Sequence, residues 1–200
     1  HSVLHRMAAV SSVPVVNMLS DFAHPLQAVA DVLTMQQNLG ELNGKTVTYV
    51  GDFNNVARSL CEASAMLGMH IRLGCPEGYD AQDNELLGLT ELGAASVEQY
   101  RDIAIAVTGA HAVHTDTWTS MGQESESAER EAVFAGFEVT NEIMSHADPS
   151  AIFMHCLPAH REQEVSPSVI DGPQSKIYQQ AHNRMHAARG VLSFLMGVQK

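Results

Sequence analysis

Short apolar or β-branched runs alternate with longer segments of helical spacing along this chain, and no other feature constrains its fold as strongly. Strand-like runs are expected at 13–16, 46–50, 70–73, 112–114 and 151–154. Between them, apolar residues recur at helical spacing, as in Leu26, Val29, Ala30, Leu33; then Val56, Leu60, Ala63, Leu67; then Ile103, Ala106, Val107. The alternation predicts an α/β fold with a mostly parallel sheet and helices on both faces.

Composition narrows the function classes. A formal net charge of −12 argues against nucleic acid or an anionic membrane as a main partner, and no apolar run approaches the ~18 residues of a bilayer span. Three cysteines without framework spacing fit a reducing compartment, and no secretory signal is visible, although the chain begins at His1. These features predict a cytoplasmic enzyme. The histidines lack a complete zinc pattern, so no metal is expected.

The first candidate ligand-binding segment is TVTYVGDFNN, a predicted strand that runs through a turn into a helix starting near Asn54. A dinucleotide site would need three glycines in this turn, but only Gly51 is present, so no nucleotide cofactor is expected. The start of a helix still suits an anion. Asn54 is expected to cap the helix, whereas Asn55 is the better candidate for contacting a ligand.

Two further strand ends carry reactive side chains. Asp116 directly follows a predicted strand, and a polar loop with Ser120 and Gly122 comes after it, so this carboxylate suits an ammonium group. Cys156 stands where the last predicted strand becomes a loop, because Pro158 cannot continue a sheet ladder. Asn55 for a carboxylate and Asp116 for an ammonium would together equip the sheet edge for an α-amino acid.

Three motifs resemble those of the ornithine carbamoyltransferases, in the aspartate/ornithine carbamoyltransferase family. They are SDFAHPLQAVAD at 20–31, DTWTSMGQE at 116–124 and MHCLPAHREQEV at 154–165. The H-P-x-Q element is common to the aspartate and ornithine enzymes, whereas S-M-G and H-C-L-P select ornithine. The resemblance implies a Rossmann-like ornithine-binding domain, no cofactor, and transfer of a carbamoyl group from carbamoyl phosphate to the side-chain amine of L-ornithine, which gives citrulline.

The resemblance also implies roles for individual residues. Carbamoyl phosphate would be held by His24 and Gln27 of H-P-x-Q, by Cys156 and Leu157 of H-C-L-P, and by Arg184 of HNRMH, with Cys156, His24 and Arg184 at the reacting centre. Ornithine would be bound by Asn55, Asp116, Ser120 and Met121. Direct attack by the amine needs no covalent intermediate on Cys156. The family further implies a homotrimer.

The chain departs from the family pattern at three positions and lacks one family motif. Met18 and Phe53 stand where the family usually has glycine, and His182 where it has glutamate. We expect each site to tolerate its side chain; the alternative is that Phe53 disturbs the Asn55 turn or narrows the pocket. The family's S-T-R-T phosphate loop has no counterpart. We therefore expect 1–40 to be the end of a carbamoyl-phosphate domain with the interdomain helix, 41–178 the ornithine-binding domain, and 179–200 a returning helix.

The missing loop implies that these 200 residues alone are inactive. Three other readings remain open on the sequence. The chain could belong to a non-catalytic amino-acid-binding or regulatory relative, to a nucleotide-dependent α/β enzyme, which the lone Gly51 disfavours, or to an aspartate carbamoyltransferase, which DTWTSMG and HCLP disfavour. A biosynthetic and a catabolic role are equally compatible with the motifs.

Overall fold

Five parallel strands form one sheet in the order β3-β2-β1-β4-β5. The computed structural model describes residues 1–119 and 124–198. The strands are β1 Thr46–Val50, β2 His70–Gly74, β3 Ser96–Tyr100, β4 Ala112–Thr115 and β5 Ile152–His155. Because β1 is followed by β2 on one side and lies beside β4 on the other, the strand order reverses between β1 and β4. In open parallel sheets, ligands bind beyond the carboxyl ends of the strands at such a point.

Helices connect the strands and flank the sheet. They are α1 Ser2–Val10, α2 Pro25–Leu39, α3 Asn55–Met66, α4 Asp83–Glu91, α5 Ile103–Val107, α6 Ser127–Phe134, preceded by a 3₁₀ turn Glu124–Glu126, α7 Asn141–Ser145, α8 Pro167–Ile170 and α9 Ile177–Leu195. Within the described ranges, no helix is both long and apolar enough to cross a bilayer.

The sheet separates two apolar cores. On one face, side chains of α2, α3 and α4 pack against strand residues such as Tyr49 and Leu73. On the other face, α5, α7 and α8 pack against Val113 and Phe153. Strands β1 and β4 are buried along their whole length because both faces are covered. Helices α2 and α9 lie together, with Leu26, Ala30 and Ala187 buried between them.

Most of the predicted elements are confirmed. The predicted strands at 46–50, 70–73, 112–114 and 151–154 match β1, β2, β4 and β5, and the three helical segments match α2, α3 and α5. The predicted strand at 13–16 is wrong: this segment has no regular structure, and Val13 is 67% exposed. Strand β3 was not predicted. Within the described part of the chain, Ser96–Tyr100 is a half-exposed edge strand that pairs with β2 alone.

Candidate active site

A cavity of about 1080 Å³ opens at the carboxyl ends of β1, β4 and β5. Its walls come from the segment before α2, the turn after β1, and the loops after β4 and β5. Five predicted site residues line it: His24, Asn55, Asp116, Cys156 and Leu157. Gln27 and Arg184 lie outside the lining, and Ser120 and Met121 fall outside the described residues.

Asp116 is a buried polar group of the cavity wall. The residue is 7% exposed, and its carboxylate accepts three hydrogen bonds from the described residues. Oδ2 accepts from Asn54 Nδ2 at 3.0 Å, while Oδ1 accepts from the Thr117 amide at 2.9 Å and from Cys156 Sγ at 3.2 Å. A buried carboxylate that is fixed by donors from three segments can hold a cationic group of a ligand in a defined place.

The two asparagines after β1 have separate tasks. Asn54 caps α3 as expected, since its Oδ1 accepts from the amides of Val56 at 2.9 Å and Ala57 at 3.0 Å. Its Nδ2 reaches Asp116, a contact that the sequence did not reveal. Asn55 donates from Nδ2 to the Ser20 carbonyl at 2.7 Å. The turn itself uses Gly51 at φ +130°, which glycine adopts without strain.

Cys156 is a thiol in this environment. Burial raises the pKa of Cys156 well above its ordinary value, and the neighbouring Asp116 charge raises this pKa further. Because the thiolate is the nucleophilic form of cysteine, the site does not activate Cys156 for covalent attack. Its donor contact with Asp116 instead joins the loops after β5 and β4.

Beside Asp116 and Cys156, the side chains of His24 and Arg184 each have a buried nitrogen without a hydrogen-bond partner among the described residues. His24 begins α2, and its amide is held by Ser59 Oγ at 2.8 Å, but its buried Nδ1 has no partner among the described residues. Arg184 of α9 donates from Nη2 to the Met18 carbonyl at 3.1 Å, while its buried Nη1 is likewise unpaired within the described chain. Burial and the nearby Arg184 charge lower the pKa of His24, so its imidazole is neutral at physiological pH. Buried polar atoms without partners are typical of a ligand site.

A buried polar network that the sequence did not reveal lies beneath this site. Asp31, fully buried, accepts at Oδ1 from Gln27 Nε2 and from Gln180 Nε2, each at 2.8 Å. Gln180 Oε1 accepts from the His155 amide at 2.9 Å. The network therefore connects α2, α9 and the end of β5, and it fixes the amide orientation of Gln27. The i, i+4 spacing of Gln27 and Asp31 was the available signal.

A second anchor joins the turn after β1 to the loop after β4. Arg130 of α6 is 3% exposed, pairs with Asp52 and donates from Nε to the Trp118 carbonyl at 2.5 Å. Its guanidinium lies 4.8 Å from the centre of the Tyr79 ring. A buried arginine in this arrangement fixes both loops relative to each other.

The departures from the family pattern are accommodated. Phe53 is absent from the residues with positive φ, and its ring is 8% exposed in the core. The Arg58 guanidinium lies over Phe53 at 5.2 Å and over Phe22 at 4.5 Å. Phe53 therefore lines the cavity without straining the Asn55 turn. The Met18 side chain is exposed, and the backbone carbonyl of Met18 accepts a hydrogen bond from Arg184. His182 is also exposed, and its ring packs against that of His186.

Among the described residues, one group of potential metal ligands occurs, Asp116, His155 and Cys156, with ligand atoms within 4.8 Å of one another. Both ring nitrogens of His155 are already used, since Nδ1 accepts from the Leu157 amide at 2.9 Å and Nε2 contacts Glu164 Oε1 at 3.1 Å. A metal would have to replace one of these contacts.

The fold and the cavity define a doubly wound α/β domain with a partly polar cavity at the reversal of strand order. Residues 43–195 match the family model for the Asp/Orn-binding domain of aspartate/ornithine carbamoyltransferases, and residues 1–37 match the model for the carbamoyl-P-binding domain. The chain belongs to the aspartate/ornithine carbamoyltransferase family.

Individual relatives agree with this assignment. The chain is 49% identical over 189 residues to the ornithine carbamoyltransferase of Parasynechococcus marenigrum, covering 94% of this chain and 59% of the relative. It is 46% identical over 200 residues to that of Symbiobacterium thermophilum, covering 98% and 64%. The solved ornithine carbamoyltransferase of Pyrococcus furiosus superposes with a TM-score of 0.92 at 44% identity, covering 100% of this chain and 65% of that one. The chain thus spans about three fifths of the length of the curated relatives.

Proposed function

We propose that this chain is part of an ornithine carbamoyltransferase, which transfers the carbamoyl group of carbamoyl phosphate to the side-chain amine of L-ornithine and releases citrulline and phosphate. The observation that carries the proposal is the buried Asp116 carboxylate, held by Asn54, Thr117 and Cys156 in the cavity wall. It suits the α-ammonium of an amino acid. Asn55, in the same wall, would bind the α-carboxylate.

The carbamoyl group would lie between the loop after β5 and the start of α2. Gln27 donates its amide hydrogen to Asp31, so its oxygen remains to accept from the carbamoyl NH₂. His24 and Arg184 have unpaired buried nitrogens for the carbonyl oxygen, whose negative charge grows as the amine attacks. Leu157 and Cys156 would contact the reacting centre, and Ser120 and Met121 keep the ornithine-binding roles that the family resemblance implies.

Attack needs the neutral amine. With a lysine-like pKa near ~10.4, about 0.1% of the amine is neutral at pH 7.4, which corresponds to roughly 4 kcal/mol. Enclosure in the cavity and the positive charge of Arg184 favour loss of this proton. The oriented amine then attacks directly, the C–N bond forms, and the bond from carbon to the phosphate oxygen breaks. The attacking nitrogen loses its second proton, which the departing phosphate can take up. Proximity contributes several kcal/mol to this step.

We further propose that the active protein is a cytoplasmic homotrimer and that residues beyond this chain help to bind the phosphate. The domain boundaries proposed from the sequence, 1–40, 41–178 and 179–200, are kept as part of this proposal. The first boundary is supported by the gap between the two family models, which lies between residues 37 and 43.

The test is carbamoyl transfer by the protein expressed from its complete gene, measured as the carbamoylated product of each acceptor, with L-ornithine, L-aspartate and N-acetyl-L-ornithine supplied separately. We expect turnover with L-ornithine alone, because aspartate lacks the side-chain amine and acetylation removes the ammonium that Asp116 binds. Asp116→Asn should lower kcat/KM for ornithine about 10- to 150-fold, from the ~1.5–3 kcal/mol of a charge-assisted hydrogen bond. The carbamoyl phosphate KM should change little.

Asp80→Asn is the control, since Asp80 pairs with Arg101 outside the cavity lining. Faster turnover with aspartate or N-acetyl-L-ornithine than with ornithine would contradict the substrate assignment. Equal weakening of both substrates by Asp116→Asn would contradict the assignment of Asp116 to the amino acid.

A further inference from the structure

We propose that His155 and Glu164 are positioning residues that hold the Cys156–Leu157 peptide in the shape the transfer reaction needs. This inference rests on the proposed function, because it assigns a task within the same site. Neither side chain lines the cavity, and both are fully buried. They therefore act through Leu157 and Cys156, without touching the substrates.

The imidazole of His155 holds the backbone of Leu157 directly. His155 is the last residue of β5, and its Nδ1 accepts a hydrogen bond from the Leu157 amide at 2.9 Å. Leu157 has a φ of +62°, in the left-handed region that residues with a side chain rarely adopt. The imidazole thus supports a backbone conformation that Leu157 would otherwise avoid.

The proton of the imidazole is placed by Glu164. Since Nδ1 accepts from an amide, the ring proton resides on Nε2, and Nε2 lies 3.1 Å from Glu164 Oε1. The same carboxylate oxygen accepts from the His160 amide at 2.5 Å. Glu164 therefore selects the tautomer of His155 that can accept from Leu157.

The peptide group between Cys156 and Leu157 connects this hydrogen bond to the cavity. In a trans peptide, the N–H of Leu157 and the C=O of Cys156 point in opposite directions. When the N–H points to the His155 ring, the Cys156 carbonyl must point away from that ring. The Cys156 thiol is held on its other side by Asp116. One buried imidazole thereby fixes the backbone of both residues that face the reacting centre.

Two substitutions of His155 separate the two contacts. His155→Asn places an oxygen near the position of Nδ1, so it can still accept from Leu157, but it cannot reach Glu164. His155→Gln places its amide near Nε2, so it retains the contact with Glu164 but loses the acceptor for Leu157. In the full-length protein we expect kcat to fall less than tenfold in His155→Asn and 10- to 100-fold in His155→Gln, with both KM values within threefold of wild type.

Amide hydrogen exchange of Leu157 gives a readout that does not depend on activity. Exchange should be slow in the wild type and in His155→Asn, and faster in His155→Gln. Glu164→Gln, whose amide oxygen can accept from both donors, should retain wild-type kcat, whereas the shorter Glu164→Asp should lower it. This second pair tests the proposal if a His155 variant fails to fold.

His111 supplies a matched control. Its Nδ1 also accepts from a backbone amide, that of Thr46 at 3.1 Å, but it precedes β4 at the amino end of the sheet. His111→Gln should leave kcat unchanged.

The possible failures are distinguishable. If the wild type forms no citrulline, the proposed function fails, while hydrogen exchange still tests the contact. If the wild type is active but His155→Asn and His155→Gln have equal kcat and equal Leu157 exchange, the positioning role is overturned. Equal kcat values for Glu164→Gln and Glu164→Asp would likewise overturn the role of Glu164.

Discussion

Replacing Asp31 by asparagine should change how the stability of the protein depends on pH. Burial raises the pKa of Asp31 from 3.8 to about 7, although hydrogen bonds from Gln27 and Gln180 and the charge of Arg184 oppose the shift. Both hydrogen bonds go to Oδ1, and an asparagine oxygen can accept them equally well. Asp31→Asn thus removes the titration while it retains the network.

The direction in which stability changes with pH follows from proton binding to Asp31. Between pH 3.8 and 7 the folded protein retains a proton on Asp31 that the unfolded chain has lost, so this residue makes stability fall as pH rises. Each pH unit in this window is worth about 1.4 kcal/mol. Relative to wild type, Asp31→Asn should therefore become more stable by about 2–3 kcal/mol between pH 5 and pH 8.

The neighbouring groups do not reverse this expectation. Burial lowers the pKa of His114, whose Nε2 lies 3.7 Å from Asp31 Oδ2, to about 3, so the folded-state imidazole is neutral from pH 5 to 8 in both proteins. The Asp116 charge helps to raise the pKa of Asp31, and Arg184 stays charged throughout this range. The difference between variant and wild type thus isolates Asp31.

The assay is reversible urea unfolding of both proteins at pH 5 and pH 8, at one protein concentration. Asp80→Asn is the control, because the hydrogen bond from Arg101 lowers the pKa of Asp80 and its titration ends below this range. A free-energy difference between Asp31→Asn and wild type that is the same at both pH values would refute the reasoning. So would a variant that becomes relatively less stable at pH 8.

Three further outcomes are expected. Cys156→Ser should retain measurable turnover, and mass spectrometry should find no carbamoyl group on Cys156 of the wild type, because burial raises the pKa of this thiol; a trapped carbamoyl-cysteine would contradict direct transfer. Phe53→Gly should lower the free energy of unfolding in urea by about 3–5 kcal/mol, since the buried ring and its contact with Arg58 are lost; an unchanged urea midpoint would show that the ring contributes nothing. The 200 residues expressed alone should form no citrulline in a colorimetric assay. Among the described residues, Arg58 is the arginine that lines the cavity, and its pairing with Glu85 leaves it poorly suited to bind the phosphate of carbamoyl phosphate; turnover at the full-length rate would contradict this.

Local sequence patterns determined much of the fold. Four of five strands and the helices α2, α3 and α5 follow from apolar periodicity, because buried parallel strands are continuous apolar runs and their crossover helices repeat at 3.6 residues. Strand β3 escaped this reasoning, since an edge strand with Glu98 and Gln99 carries little apolar signal. The segment 13–16 has the composition of a strand but pairs with no strand among the described residues.

The sequence likewise indicated which strand ends carry the site, because strand carboxyl ends of a parallel sheet meet at one edge. Asn54 as a helix cap could be predicted from the spacing alone. Only the tertiary structure decided the contacts between side chains of different segments. Asn54 with Asp116 and Asp31 with Gln180 are distant in the sequence, and His155 with Glu164 joins the end of β5 to the loop that follows it. These side chains are polar and, except for the partly buried Asn54, buried, and no periodicity marks a polar residue for burial. Their partners are settled only when the packed helices exclude water, since each buried donor must then find an acceptor within reach.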